Sequence, residues 1–202
     1  QALRSVRSAV RMALVAVCAA TLSACATRPP VSLDEHALIR SMARDERAAA
    51  FSLSGRFVVK GPDQSASASL DWQHAQDRDE LQINGPLGKV LAQLTRDGSG
   101  VRLVDDGQRV TRAGTLDELA RAAFGADIPL TGAAYWVTGR PGNASVTSRD
   151  DAGRIAALTD RGWRVEFVRY EDDSADALPR LIEASDGEHS FRLLIDEWSP
   201  VK

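Results

Sequence analysis

Cys25 is the residue whose type and setting most clearly imply covalent chemistry. It follows Leu22, Ser23 and Ala24, a leucine and two small residues. The sulfur of a cysteine reacts as a nucleophile once the thiol is deprotonated, and small residues before it allow the extended backbone to fit a peptidase cleft. Cys25 is therefore the residue of this segment at which a covalent modification on sulfur is expected.

Residues 1–24 have the layout of a cleavable signal peptide. Three arginines precede an uncharged stretch over residues 12–21. A helix that crosses a bilayer needs roughly 20 consecutive apolar residues, so this stretch is too short to remain as an anchor. Residues 22–25 resemble the bacterial lipobox, which implies an N-acyl diacylglycerol group on Cys25. The alternative is an ordinary secretory signal with an incidental cysteine.

The residues around and after Cys25 predict where the protein is held. Ala26 and Thr27 stand where lipoproteins retained in the inner membrane have an aspartate, and this resemblance implies the outer membrane. Two or more fatty chains, at ~0.8 kcal/mol per buried methylene, make release negligible. Residues 25–32 include two prolines and few apolar side chains, which favours an extended tether. We therefore expect a lipid-anchored domain on the periplasmic face of the outer membrane.

Charge and cysteine content exclude several classes of protein. Removal of residues 1–24 from the 202 leaves 178, and because this segment holds three arginines and no acid, the net charge changes from −3 to −6. Such a chain has no basic excess for binding nucleic acid. Cys18 leaves with the signal and Cys25 carries lipid, so no internal disulfide is expected. The length predicts one domain over residues 33–202.

The remaining candidates for catalysis do not form a recognisable site. The three histidines share no metal-ligand spacing, and Gly98-Ser99-Gly100 lacks the glycine spacing around a nucleophilic serine. Paired carboxylates such as Asp105-Asp106 occur in turn-like stretches, where solvated bends explain them. We therefore expect no enzymatic activity and no cofactor besides the covalent lipid. A hydrolase is kept only as an alternative for which no nucleophile can be nominated.

Segments with alternating apolar and polar residues lie on both sides of a central stretch, and each predicts an antiparallel strand with one apolar face. They cover residues 51–59, 66–72, 81–83, 92–94 and 101–103 before it, and residues 154–158, 163–167, 178–184 and 191–198 after it. Turn sequences such as Gly61-Pro62-Asp63 join them and are too short for parallel crossovers. We therefore predict a meandering sheet.

Helices are predicted at the start and in the middle of the domain. Residues 33–50 have an apolar stripe at three-to-four spacing, which favours an N-terminal helix. Thr115 and Glu118 have the spacing of a capping box, which opens a helix that ends near Phe124. Residues 129–138 follow as a second helix with proline in its first turn. We therefore predict a mainly β fold of the α+β class, an incomplete antiparallel β-barrel (half-barrel) with an α-helical lid inserted mid-chain.

Six short motifs resemble the LolB family. They are Gly55-Arg56-Phe57, Asp71-Trp72-Gln73, Asn84-Gly85-Pro86-Leu87-Gly88, Trp136-Val137-Thr138-Gly139-Arg140-Pro141, Gly162-Trp163 and Trp198. The resemblance covers essentially the whole chain after Cys25. It implies a monomer that accepts lipidated proteins from a LolA-like periplasmic carrier, holds their acyl chains in an apolar cavity, and inserts them into the inner leaflet of the outer membrane without ATP. The alternative is an envelope assembly or scaffold lipoprotein that binds a protein partner with the same half-barrel.

Leu87 is the sharpest site candidate. It lies between Pro86 and Gly88, where a large apolar side chain is out of keeping with the composition of turns. The resemblance implies that this loop delivers cargo into outer-membrane lipid. Moving one leucine from water into lipid is worth ~1.5–3 kcal/mol, enough to bias a loop toward a bilayer and too little to anchor a protein. The alternative is that Leu87 folds back over the barrel rim as part of the core.

The walls of the implied acyl-chain cavity are expected to come from the apolar faces of the strands and from the lid. The candidates are Phe57, Val59, Leu70, Trp72, Leu81, Ile83, Leu94, Leu103, Trp136, Trp163, Val165, Phe167, Leu193 and Ile195. Each of these side chains also fits an ordinary core position, and a tryptophan suits a pocket rim and a packed corner equally well.

Overall fold

The computed structural model of the chain describes residues 49–63, 65–124 and 127–199. The signal peptide, Cys25, the tether over residues 25–32 and nearly all of the predicted N-terminal helix lie outside the described residues. Ala49 is helical, Ala50 forms a bend, and the first strand begins at Phe51. One domain over residues 33–202 stays a prediction.

Within the described residues, eleven strands form a single antiparallel sheet. They are β1 (Phe51–Lys60), β2 (Ser65–Ala75), β3 (Arg78–Asn84), β4 (Val90–Asp97), β5 (Gly100–Asp105), β6 (Val110–Ala113), β7 (Ser145–Arg149), β8 (Ile155–Asp160), β9 (Trp163–Tyr170), β10 (Pro179–Ser185) and β11 (Ser190–Ser199). Their spatial order is β6-β5-β4-β3-β2-β1-β11-β10-β9-β8-β7.

The sheet is open, as the sequence predicted for an incomplete barrel. Neighbours in the sequence are neighbours in space within each half, and β1 joins the halves by pairing with β11. The strands β6 and β7 lie at opposite margins of the sheet and are not paired with each other. Both strands were missed in the sequence, where neither shows clear alternation.

Alternation explains why the predicted segments became strands. In β1 the side chains of Phe51 and Leu53 are buried while those between them are less so, and in β9 Trp163, Val165 and Phe167 are buried on one face. Side chains of a strand point alternately to its two faces, so this spacing places one apolar face against the core. On the other face of β9, Arg164 and Val168 are exposed.

In the described part of the stretch between β6 and β7, the chain forms two helices and a 3-10 turn. Helix α1 (Leu116–Phe124) confirms the capping signal, since the amide of Glu118 donates to Thr115 Oγ1 at 3.1 Å. The carboxylate of Glu118 accepts from the amide of Gly114 at 2.8 Å, one residue earlier than in a standard capping box. The described helices include none with the length and apolar character required to cross a bilayer.

The second predicted helix, over residues 129–138, was too long. The chain instead forms a 3-10 turn (Leu130–Gly132) followed by the short helix α2 (Ala133–Val137). Gly132 has low helix propensity, and its amide donates to Pro129 O at 3.0 Å, the tighter spacing of a 3-10 turn. The segment is therefore helical in two pieces.

The helices cover one face of the sheet and create two apolar clusters. The larger cluster joins strands from both halves, such as β2 and β9, to Trp136 and Val137 of α2. The smaller cluster packs Leu116 and Leu119 of α1 against Leu94 and Val101 of β4 and β5. Because residues far apart in the strand order share the larger cluster, the sheet wraps around it.

Candidate functional site

A cavity of about 690 Å³ lies between the helices and the covered face of the sheet. Its apolar wall includes Trp72 from the larger cluster and Leu116 and Leu130 beside the smaller one, with Ala134 of α2. The volume falls within the range of cavities that hold small ligands, roughly 300–1,000 Å³. The fold therefore leaves space where its two apolar clusters meet.

Part of the cavity lining is polar, and three of its polar side chains come from one cross-strand row. His74 on β2 pairs with Asp79 on β3, and Asp79 pairs with Arg96 on β4. All three line the cavity. The next row on the same face is apolar, because Trp72, Leu81 and Leu94 lie two residues along their strands.

Asp79 holds this polar row together. Its side chain is 2% exposed, and it accepts from Trp72 Nε1 at 2.8 Å, contacts His74 Nδ1 at 2.7 Å, and forms an ion pair with Arg96. Burial raises the pKa of Asp79, but hydrogen bonds from His74, Arg96 and Trp72 outweigh it, and the net pKa lies below its ordinary value. The carboxylate is therefore charged at neutral pH and fixes its partners.

The helical cover is attached to both halves of the sheet. Asp117 of α1 accepts from the amide of Thr131 at 2.8 Å and from the guanidinium of Arg161, which lies in the turn between β8 and β9. Burial raises the pKa of Asp117, but these hydrogen bonds outweigh it and lower the pKa overall. Trp163 Nε1 donates to Asp127 O at 3.0 Å. A few polar contacts therefore connect the helical cover, which follows β6 in the chain, to the half of the sheet that contains β8 and β9.

Leu87 lies at the tip of the β3–β4 hairpin, in a 3-10 turn (Pro86–Gly88), and its side chain is 107% exposed. The alternative that it folds back into the core is therefore wrong. Its backbone is left-handed, with φ 62° and ψ 20°, a conformation that costs roughly 1–2 kcal/mol for most residues and that glycine or asparagine adopts readily. The structure of the turn thus gives no reason for a leucine.

The hairpin is nonetheless well formed. The amide of Gly85 donates to Lys89 O at 2.8 Å, which closes the loop at its base. Lys89 Nζ contacts Asp106 Oδ2 at 2.7 Å, which ties the loop to the neighbouring β5–β6 connection. Leu87 therefore projects from a supported tip.

Comparison with known proteins identifies the family. The sequence model described as outer membrane lipoprotein LolB matches residues 49–198. The chain belongs to the LolB family. It is 39% identical over 188 residues to the outer-membrane lipoprotein LolB of Azoarcus sp. (strain BH72), covering 92% of this chain and 93% of that relative. It is 36% identical over 191 residues to that of Thiobacillus denitrificans, covering 93% and 97%.

A solved structure supports the fold independently of sequence. The crystal structure of a LolA superfamily protein from Nitrosomonas europaea superposes with a TM-score of 0.50 at 10% sequence identity, and the match covers 82% of this chain and 94% of that one. At this identity the likeness concerns the fold alone. LolB-family membership and a LolA-like fold thus agree with the half-barrel predicted from the sequence.

The cavity residues expected from the LolB resemblance are divided between packed core and partly exposed positions. The buried ones are Leu70, Trp72, Leu94, Trp136, Trp163, Val165, Phe167, Leu193 and Ile195. The half-buried ones are Phe57, Val59, Leu81, Ile83 and Leu103. Of the fourteen, Trp72 borders the cavity of about 690 Å³.

Sequence reasoning missed most of the lining of this cavity. Leu116 and Leu130 were assigned to helices without a site role, and the polar row was not identified. The sequence did carry one signal for this row: Asp79 is spaced by two and four residues from Leu81 and Ile83, which places it on the same face of β3. A carboxylate on the apolar face of a strand needs a partner or a function. Within the described ranges, no cluster of three or more histidine, cysteine, aspartate or glutamate side chains is arranged to hold a metal ion.

Proposed function

We propose that this LolB-family protein is an outer-membrane lipoprotein, anchored through lipid on Cys25 at the periplasmic face, that receives lipidated proteins and inserts them into the inner leaflet. A LolA-like periplasmic carrier supplies the cargo, and the acyl chains occupy the cavity between the sheet and its helices. The protein performs no bond chemistry and uses no ATP. The observation that carries the proposal is a cavity of about 690 Å³ with an apolar wall beneath a helical cover.

Leu87 is the proposed point of contact with the bilayer. It is exposed and occupies a left-handed position, so its side chain contributes nothing to folding that a smaller or polar residue would not. Inserted into lipid, it gains ~1.5–3 kcal/mol. A contact of this strength lets the tip engage the bilayer briefly for each delivery.

Transfer proceeds down a gradient of affinity. Acyl chains leave the carrier for a cavity that holds them more favourably, and then leave the cavity for the bilayer, where each buried methylene contributes ~0.8 kcal/mol. The lipid on Cys25 keeps the domain beside its target membrane, so the final step is local. No coupling to a chemical fuel is required.

A two-step transfer assay tests the proposal. Radiolabelled lipoprotein bound to purified carrier is mixed with the protein, then with liposomes, and the label is followed through each fraction. We expect the label to move from carrier to protein to liposomes, and Leu87→Glu to stop only the last step. Val168→Glu is the matched control, since Val168 is a 53% exposed apolar residue on β9.

Two results would contradict the proposal. If the label never leaves the carrier, the cavity does not accept cargo, and an envelope scaffold that binds a protein partner becomes the better account. If Leu87→Glu delivers cargo as well as the unmodified protein does, Leu87 has no part in insertion.

A further inference from the structure

The guanidinium of Arg96 is held in place but not saturated by its neighbours. Its Nε donates to Asp79, and its Nη2 reaches Ala75 O only at 3.5 Å. Within residues 49–63, 65–124 and 127–199, Nη1 has no hydrogen-bond partner. A guanidinium carries five N–H donors and no acceptor, so Arg96 presents donors to the cavity that it lines.

The buried carboxylate beside Arg96 determines which kind of acceptor fits. Asp79 neutralises the charge of the guanidinium locally, and it holds the Arg96 side chain in one orientation. A full anion on the other side of Arg96 would also feel the charge of Asp79, whereas a neutral oxygen would not be repelled in this way. Beside Asp79, Arg96 itself therefore suits a carbonyl oxygen better than a carboxylate or phosphate, and the other guanidinium that lines the cavity, Arg140, donates to Thr138 Oγ1 and lies over the Tyr135 ring.

The apolar and the polar parts of the cavity lining together select an amphipathic ligand. Trp72, Leu116 and Leu130 offer a hydrocarbon surface, and the row that contains Arg96 lies beside it. Such a ligand needs fatty chains joined directly to hydrogen-bond acceptors. A lipidated cysteine has this form, because ester and amide carbonyls join its chains to glycerol and to the peptide.

We propose that Arg96 donates hydrogen bonds to the acyl carbonyl oxygens where the fatty chains meet the lipidated cysteine of the cargo. This inference rests on the proposed function and adds a specificity-determining residue to it. The cavity then recognises the acyl linkage as well as the hydrocarbon, which distinguishes lipoprotein cargo from bare apolar molecules. Asp79 acts as a positioning residue that orients Arg96.

The test compares two ligands of equal charge, one with and one without acyl carbonyl groups. One is a synthetic triacylated cysteinyl peptide, and the other is its analogue with neutral ether links in place of the esters and of the amide. Each displaces a fluorescent hydrocarbon probe from the purified full chain. We expect the acyl peptide to bind about tenfold more tightly than the analogue, the effect of one hydrogen bond to a charged group.

A double variant assigns this difference to Arg96. Asp79→Asn together with Arg96→Met removes the guanidinium without leaving a buried carboxylate unpaired, and we expect it to bind both ligands with the affinity that the unmodified protein has for the analogue. Arg102→Met is the control, because Arg102 is exposed on β5 and does not line the cavity. Thermal unfolding shows whether each variant is folded.

The outcomes separate this inference from the proposed function. If the unmodified protein binds neither ligand, the proposed function fails. If it binds both equally, or if palmitate displaces the probe better than the acyl peptide does, only the role of Arg96 is overturned. The comparison on the unmodified protein decides this even if the double variant does not fold.

Discussion

Replacing Leu87 with asparagine should stabilise the fold and weaken membrane contact at the same time. The side chain is fully exposed, so its removal loses no burial. The backbone there is left-handed, which costs roughly 1–2 kcal/mol for a leucine and less for an asparagine. We expect a net gain of about 0.5–1 kcal/mol in the free energy of unfolding, or a rise of roughly 1–4 °C in Tm for a chain of this size.

The same substitution should reduce delivery. Without the ~1.5–3 kcal/mol that a leucine gains in lipid, contact of the tip with a bilayer should weaken by roughly 10- to 100-fold. Urea unfolding measures the first effect, and transfer of labelled lipoprotein from the loaded protein into liposomes measures the second. Val168→Asn is the control, because it removes an exposed apolar side chain from a regular strand; it should lower stability slightly and leave transfer unchanged.

Leu87→Asn should therefore raise stability and lower delivery into liposomes. If Leu87→Asn destabilises the protein, the leucine makes contacts that the described geometry lacks. If it stabilises the protein and transfer is unaffected, the tip is a strained turn without a role in insertion. If Val168→Asn reduces transfer to the same extent, loss of exposed apolar surface anywhere on the domain is responsible.

Two further predictions concern stability. Folding lowers the pKa of Asp79, so its carboxylate stabilises the fold at pH values above the ordinary pKa of 3.8, and this contribution is lost as pH falls through the folded pKa. Urea unfolding of the unmodified protein and of Asp79→Asn should show a difference in the free energy of unfolding at pH 7 that shrinks below about pH 4. A difference that stays constant with pH would contradict this account. Gly55→Ala should lower the free energy of unfolding by about 1–3 kcal/mol, measured in the same urea experiment, since the added Cβ would lie 2.6 Å from the backbone oxygen of Leu194. Gly98→Ala is the control, because nothing lies within 4 Å of its added Cβ, and it should change the free energy of unfolding by no more than about 0.5 kcal/mol.

Strands were predictable from the sequence where burial imposes alternation. Segments such as β1 and β9 place every second side chain in the core, so apolar and polar residues alternate along their sequences. The marginal strands β6 and β7 each have a neighbour on one side only and contain no buried residue, so nothing selects apolar residues at alternate positions. The conformation of β6 and β7 is determined by pairing with the neighbouring strand, and this pairing cannot be read from a single sequence.

The site was only partly predictable for a different reason. An unusual residue type in its setting made Leu87 a candidate, because a leucine in a turn contradicts local preferences, and its exposed position agrees with that prediction without testing its role. The lining of the cavity depends on which helix lies over which strand, and this is a tertiary property. Arg96 was overlooked because its proposed role requires the register between β3 and β4, which brings it opposite Asp79.

A closed cylinder of strands has its girth fixed by strand number and stagger. Here the two outermost strands have no mutual ladder, and the span between them is closed by helices held through side chains such as Asp117. The girth can therefore widen or narrow without the loss of a single backbone hydrogen bond between strands. A cavity built this way can fit ligands of different size at the cost of helix contacts, namely the polar ones and the packing of α1 and α2 in the apolar clusters, which suits the proposed receipt and release of cargo.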